Sequence, residues 1–401
     1  MAAGRGSGKT ELCRRRVIRW LPVRKPWSDP IYFYALPTRD QAKRVAWPAL
    51  KALVPPQWLV RGGISESELT ITTVFGSKLF VLGMDKPERA EGVQWDGGVV
   101  DESCDQKPKV FDLSLRPALS HRQGWCDRIG VPKRAGSGAR EFKEFFERCQ
   151  SDKSGEYEAF SWPSSDIMTS DEIESARQSL DEKDFNEQYM ASWETVGGAI
   201  FYAFSDSLNV SSGVAYDPEV PLLIGCDFNV DPMAWVICQA HANGELHAVD
   251  ELFVRNTNTE ACLQRLKAGP YGGHRKGFRF FGDATGRARK TAASTTDYVQ
   301  IRNCGLHDST VHFPEANPPR HDRFASCNAL FRSAAGTRRF YCHPRCVNLI
   351  RDLNTRAYAP ETSEPDDKGD VGHITDALGY LIHWLFPLQL QLPRSAPYVP
   401  A

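Results

Sequence analysis

Short apolar runs alternate with amphipathic stretches along this chain, and the alternation predicts its fold before any other feature is considered. Ile31-Tyr32-Phe33-Tyr34-Ala35-Leu36 reads as a buried strand closed by Pro37. Thr38 and Asp40 then open an amphipathic helix that Pro48 should end or kink. Leu69 to Phe75 and Lys78 to Leu82 predict a hairpin around Gly76-Ser77, Val99-Val100 a short buried strand, and Cys126 to Val131 another closed by Pro132. Residues 141–149 and 171–189 carry helical spacing, the second opened by a Thr169 or Ser170 cap with acids in its first turn. Strands and helices alternating this way predict an α/β domain with a mostly parallel sheet and helices on both faces.

Beyond Gly197 the pattern changes. Up to Pro221 the chain is rich in Gly, Ser, Asp and Pro, which predicts a hinge into a second domain. Leu222 to Phe228, Met233 to Gln239 and Leu246 to Phe253 then read as successive strands, Phe278 to Phe281 as a fourth, and Val371 to Leu381 as a helix with His373 and Asp376 on one face. The expected organisation is residues 1–196 as the first domain, 197–220 as linker, 221–390 as the second domain and 391–401 as a Pro-rich tail. The length of 401 residues agrees with two cores rather than one.

Charge and cysteine content narrow the function classes. The net charge of −1 provides no global positive field for nucleic acid, so any such contact is local. The local basic clusters are Arg14-Arg15-Arg16 with Arg19, Lys133-Arg134 with Arg140, and Arg287-Ala288-Arg289-Lys290; each reads first as a solvated face and second as a nucleic-acid contact. The 11 cysteines are odd in number, with no CxxC pair and no signal peptide, which points to a reducing compartment. Cys342-His343-Pro344-Arg345-Cys346 lacks the ligand count of a structural zinc site. The apolar run at Tyr380 to Leu385 is interrupted by His383 and followed by Pro387, so no stretch reaches membrane-spanning length.

The chemistry sits in two places. Ala3-Gly4-Arg5-Gly6-Ser7-Gly8-Lys9-Thr10 is a nearly complete phosphate-binding loop with Ala3 at its first Gly position. Gly6, Ser7 and Gly8 turn backbone NH groups toward phosphates, Lys9 supplies a point charge on the β/γ oxygens, and the Thr10 hydroxyl is a Mg²⁺ ligand. Downstream, Asp96-Gly97-Gly98-Val99-Val100-Asp101-Glu102 supplies an apolar strand ending in one acid for Mg²⁺, Asp101, and one to take a proton from water, Glu102. In the second half, Asp227 and Asp283 end apolar strands and Asp376 lies on the late helix. Three such carboxylates are the donor set of a two-metal nuclease using Mg²⁺ or Mn²⁺, hard ions suited to oxygen ligands. Asp231, Glu251 and Asp297 are reserve candidates that read first as surface or turn acids. Taken singly, each of the three aspartates also reads as an ordinary strand-end or capping residue.

Together these segments resemble the large terminase subunit of tailed bacteriophages, the DNA-packaging motor with an N-terminal P-loop ATPase domain and a C-terminal ribonuclease H-like nuclease domain. The resemblance runs from Gly4 to about Trp384. It also rests on Ala35-Leu36-Pro37-Thr38-Arg39-Asp40-Gln41-Ala42-Lys43-Arg44, on Phe160-Ser161-Trp162-Pro163-Ser164-Ser165-Asp166, on Phe185-Asn186-Glu187-Gln188-Tyr189 with Trp193-Glu194, and on His373-Ile374-Thr375-Asp376-Ala377.

The resemblance implies that Lys9, Thr10 and Asp101 bind ATP and Mg²⁺, that Glu102 is the catalytic base, and that Asp227, Asp283 and Asp376 form the nuclease triad. Arg5 is similar to a basic loop residue of the family that steadies the γ-phosphate; its alternative is a solvated loop arginine. Gly130-Val131-Pro132 stands where the family's coupling motif carries a hydroxyl residue, which Val131 lacks. Also implied are double-stranded DNA, portal protein and small terminase subunit as partners, a homo-oligomeric ring on the prohead formed from a monomer, and the host cytoplasm as location. The family places a strand and an adenine-contacting residue before its loop, whereas only Met1 and Ala2 precede this motif. The expectation is a loop without a ladder neighbour and weak ATP binding. A truncated prophage remnant with a nuclease, DNA-binding or portal-binding role is the alternative reading. A helicase-like ATPase and a stand-alone ribonuclease H-like resolvase are rival classes.

Overall fold

The structure, a computed structural model, describes residues 1–134, 136–194, 198–287, 295–359, 362, 364–367 and 369–388. The basic cluster at 288–290 and the tail at 391–401 lie outside the described residues. The chain divides into two compact units, one built on Met1–Ile173 with Asn186–Thr195, the other on Glu174–Phe185 with Val196–Gln391.

In the first unit the strands are β1 (Ala2–Ala3), β2 (Ile31–Leu36), β3 (Leu59–Ser65), β4 (Thr70–Thr73), β5 (Lys78–Gly83), β6 (Gly97–Val100), β7 (Trp125–Arg128) and β8 (Ser161–Trp162). Six of them form one sheet in the order β3-β4-β5-β2-β6-β7. β2 runs parallel to β5 and β6, and β6 parallel to β7, while β4 pairs antiparallel with β5 as the expected hairpin. The near-continuous burial of Tyr32 to Leu36 fits a strand covered on both faces. Helix Lys9–Trp20 packs Cys13, Val17 and Ile18 into the core on one face, with Trp47 and Leu50 of helix Trp47–Leu53 in the same cluster. On the other face Phe33, Trp95, Val100, Phe111 and Leu115 form a second cluster. Pro48 is accommodated by restarting the helix: the chain passes through a wide turn at Ala42–Ala46, and Pro48 falls in the first turn of Trp47–Leu53.

Two sequence expectations change here. The phosphate loop does have ladder neighbours, because Ala2–Ala3 forms a short parallel strand with Ser161–Trp162 and bridges Gly130. Its backbone bonds are Ala2 N to Phe160 O at 2.9 Å, Ala3 N to Gly130 O at 3.1 Å and Gly4 N to Trp162 O at 3.1 Å. The expected single helix over 171–189 is two, Ser170–Ser179 and Glu182–Tyr189. Asp181 breaks it: its Oδ1 accepts the Lys183 and Asp184 NH groups, so the second helix starts with its own cap.

The second unit carries β9 (Leu222–Asp227), β10 (Met233–Ala240), β11 (Leu246–Val254), β12 (Phe278–Gly282), β13 (Ser309–His312) and β14 (Phe340–Cys342) in one sheet, ordered β13-β12-β9-β10-β11-β14. β9, β10 and β11 are an antiparallel meander; β12 and β13 add in parallel beside β9. A three-strand meander continued by parallel strands is the ribonuclease H-like plan. Helix His373–Leu385 covers one face, burying Ile374, Ala377, Leu378, Leu381 and Ile382 against Val236 and Phe281. Gly225 permits its close approach, since a Cβ there would lie 2.3 Å from the Ala377 carbonyl oxygen. Among the described residues no helix is long and apolar enough to cross a membrane.

Candidate functional site

Both candidate sites lie at carboxyl ends of parallel strands, where open α/β sheets bind ligands. In the first unit the loop from Gly4 to Gly8 leaves β1 and opens helix Lys9–Trp20. Gly6 and Gly8 adopt φ of 69° and 78°, a left-handed backbone that aims successive NH groups into the loop. The loop is held from outside. Ser164 Oγ donates to Arg5 O at 2.6 Å, Trp162 Nε1 donates to Ser7 O at 2.9 Å, and a Cβ on Gly4 would fall 2.7 Å from both Ser164 N and Tyr189 O.

Inside the loop, polar atoms are left over. Lys9 is buried and donates Nζ to Gly4 O at 3.2 Å. Burial holds its ammonium below the usual range, opposed by Glu102 and Asp101. Ser7 Oγ and Arg5 Nε are buried with no hydrogen-bond partner. Unpartnered buried donors beside a lysine and a helix N-terminus are what a phosphate chain would satisfy, so the loop fits a nucleotide.

The acids stand at the end of β6. Asp101 accepts the Tyr34 hydroxyl on Oδ2 at 2.6 Å and the Glu102 NH on Oδ1 at 2.8 Å, and its carbonyl accepts Gln106 Nε2 at 2.9 Å. Glu102 sits at φ 49°, a left-handed conformation that costs a non-glycine residue energy and is typical of functional turns. Burial, and then Asp101 beside it, push the Glu102 carboxyl above its ordinary value, the direction a proton acceptor requires. Tyr34, Gln106, Trp162 and Ser164 were not singled out as site residues from sequence; Trp162 and Ser164 lay in a quoted segment without a role. Val131 is buried without a hydroxyl, and the backbone of Gly130 is instead tied to Met1 and Ala3.

In the second unit, pairing of Gly282 with Cys226 sets Asp227 and Asp283 side by side at the ends of β9 and β12. Asp376, in the first turn of helix His373–Leu385, joins them closely enough that Asp376 and Asp283 both raise the Asp227 carboxyl, behind burial as the largest cause. Each carboxylate already has partners within the protein. His373 Nδ1 bonds Asp227 Oδ2 at 2.8 Å. Asp283 accepts the Thr285 hydroxyl at 2.5 Å and the Gly286 NH at 3.0 Å. Asp376 Oδ1 accepts Arg323 Nη1 at 2.9 Å and Arg356 Nη1 at 3.1 Å, and its Oδ2 accepts Arg356 Nη2 at 3.3 Å. Burial would raise the Asp376 carboxyl, but Arg356 and Arg323 outweigh it and hold it below the usual carboxylate range.

Among the described residues no group of three or more His, Cys, Asp or Glu side chains is arranged to hold a metal ion. The three aspartates lie near one another, and both Asp376 oxygens already accept guanidinium nitrogens. Arg323 and Arg356 were missed from sequence. Of the reserve acids, Glu251 caps helix Val347–Thr355 by accepting the Asn348 and Leu349 NH groups, Asp297 accepts the Thr259 hydroxyl, and Asp231 pairs with Arg255.

No protein-family model matches the sequence, and no curated protein matches it. Among solved structures, the large terminase from a thermophilic bacteriophage is similar with a TM-score of 0.59 at 13% identity, over 96% of this chain and 92% of that one. The same terminase in complex with ADP gives a TM-score of 0.55 at 14% identity, over 95% of this chain and 92% of the other. In complex with ATP-gamma-S it gives 0.54 at 14% identity, over the same shares of 95% and 92%. At these identities the likeness shows the fold: a P-loop ATPase-type unit followed by a ribonuclease H-like unit, in the chain order of a large terminase.

Proposed function

We propose that the chain is a large terminase subunit that uses ATP to drive viral double-stranded DNA into a prohead and cuts concatemeric DNA in its second unit. The observation that carries the reading is the phosphate loop with orphaned donors at Arg5 and Ser7, set beside Asp101 and Glu102. Gly6, Gly8, Ser7 and Arg5 cradle the phosphates, and Lys9 leaves the Gly4 carbonyl for the β/γ oxygens. Asp101 and the Thr10 hydroxyl are the hard oxygen donors for Mg²⁺, which when bound neutralises phosphate charge. Tyr34 holds Asp101 in place. Glu102, with its raised carboxyl, accepts the proton of the attacking water.

In the second unit Asp227, Asp283 and Asp376 are the acidic centre for phosphodiester cleavage. Portal protein, a small terminase subunit and other copies of the chain in a ring are the partners this role implies, in the host cytoplasm. The test measures ATP hydrolysis and plasmid cleavage with Mn²⁺ in wild type, K9A and D227N. Loss of hydrolysis alone in K9A and of cleavage alone in D227N supports the assignment; hydrolysis unchanged in K9A discards it.

A further inference from the structure

The peptide plane between Asp101 and Glu102 is gripped at both ends. Its NH donates to Asp101 Oδ1 at 2.8 Å, and its carbonyl oxygen accepts Gln106 Nε2 at 2.9 Å. Of the two ends of an amide only the NH2 can stand that close to a carbonyl oxygen, so the partner settles which way Gln106 faces. The plane that follows Glu102 is held as well, by the Asp105 NH donating to Glu102 O at 2.9 Å. Together these bonds keep Glu102 at its left-handed φ of 49° and fix the direction in which its side chain leaves the backbone. Gln106 is 4% exposed, and its Oε1 is buried without a partner. Burying an unmet acceptor is costly, so packing does not account for an amide at this position, whereas the bond to Asp101 does. The amide is also neutral. A lysine or arginine in its place would hold the Glu102 carboxyl down, but Gln106 sets direction and leaves the raised carboxyl as it is.

Gln106 is itself clamped from the segment that follows Pro132. The Ser137 hydroxyl lies 3.0 Å from Gln106 O and 3.1 Å from Asp105 O and donates between them, Gly138 N donates to Cys104 O at 3.0 Å, and Lys133 pairs with Asp105 at 2.5 Å. A Cβ on Gly138 would fall 2.6 Å from Gln106 O, so the two backbones meet there with no side chain between them. Val131 offers no hydroxyl to this turn, and Ser137 supplies one. We propose that Gln106 is a positioning residue that aims the Glu102 carboxylate at the attacking water, and that Ser137 holds Gln106 in place. This rests on Glu102 being the proton acceptor. Hydrolysis then depends on Gln106 through Glu102, while nucleotide binding by the loop from Gly4 to Thr10 does not.

The test measures single-turnover ATP hydrolysis with the full chain in excess, and affinity by titration with ATP-gamma-S, for wild type, Q106M, E102Q, S137A and Q106M combined with E102Q. Misaiming the proton acceptor is expected to lower the hydrolysis rate about 10²-fold in Q106M, with affinity within about twofold of wild type. In the E102Q background Q106M should add less than about threefold, because a residue that acts through another has little left to remove once that other is gone. A rate in Q106M within about threefold of wild type, an equal fall in rate and affinity, or a further loss of about 10²-fold on top of E102Q overturns the positioning role. Glu102 stays the proton acceptor in each of those cases so long as E102Q alone lowers the rate. A rate in E102Q equal to wild type removes the proton acceptor and the role of Gln106 with it. If Q106M does not fold, S137A decides, since Ser137 is exposed. Losing one neutral hydrogen bond there is expected to lower the rate about fivefold at unchanged affinity, and an unchanged rate overturns the proposal.

Discussion

The two acidic strand ends of this chain are built from the same residue type and left in opposite electrostatic states. At the phosphate loop, buried donors on Arg5 and Ser7 lack partners and Lys9 rests on a backbone carbonyl. At the second centre, His373, Thr285 and two arginines bond the three aspartates. A site with unmet donors gains when its anion arrives. A site satisfied by internal ion pairs must give something up first. Preorganisation for a ligand and stability without it are thus divided between the two units.

The largest effect expected is on chemistry at the loop. On the proposed reading Glu102 is the proton acceptor, and E102Q is expected to lower kcat for ATP hydrolysis about 10²–10⁴-fold. ATP affinity should be kept, because a carboxylate donates no hydrogen bond to phosphate in the proposed loop. Steady-state hydrolysis with nucleotide-binding titration reads both. A fall under about tenfold would put the base elsewhere.

The next effect tests the opposite state of the second centre. D376N takes the charge from a carboxylate only 17% exposed and leaves Arg323 and Arg356 under-compensated, at an expected cost of about 3–5 kcal/mol in urea unfolding. The matched change at the loop, S7A, deletes a hydroxyl that has no partner and should cost under about 0.5 kcal/mol. Equal costs would erase the contrast between the sites.

A smaller effect probes the scaffold of the loop. G4A places a methyl 2.7 Å from Ser164 N and Tyr189 O, backbone atoms that cannot move aside as a flexible side chain would. The expected cost is about 1–3 kcal/mol with weaker ATP binding. Unchanged binding would show that the external clamp does not shape the loop.

These cases show what was legible in the sequence. The loop could be read because its chemistry lies in consecutive residues, and Asp227 and Asp283 because apolar strands end in them. Arg323 could not. It is 53 positions from Asp376 and lies in a helix whose residues from Arg323 to Phe331 are all buried, so no amphipathic stripe marked an inward-facing charge. The helix break at Asp181 was hidden because helical spacing continues through a single capping aspartate. The strand at Ala2–Ala3 was missed because two residues carry no periodicity, and its partners at Gly130 and Ser161–Trp162 are distant in the chain.

The smallest effect expected concerns the one internal partner at the second centre that titrates near neutrality. The hydrogen bond to Asp227, opposed by burial, raises the His373 imidazole above its ordinary value of 6.5. A raised pKa in the folded state means that the protonated form stabilises the fold. That gain is complete below the unfolded value and is lost as pH rises through the folded one. With side chains 26% and 17% exposed, the pair is expected to contribute about 0.5–1 kcal/mol. H373Q should therefore unfold at lower urea than wild type at about pH 6 and match it at about pH 9. D227N should remove the difference by removing the partner. A deficit in H373Q that stays constant across this range would mean that the imidazole acts by packing alone, and the second centre would then be held by its arginines and hydroxyl without a contribution from histidine charge.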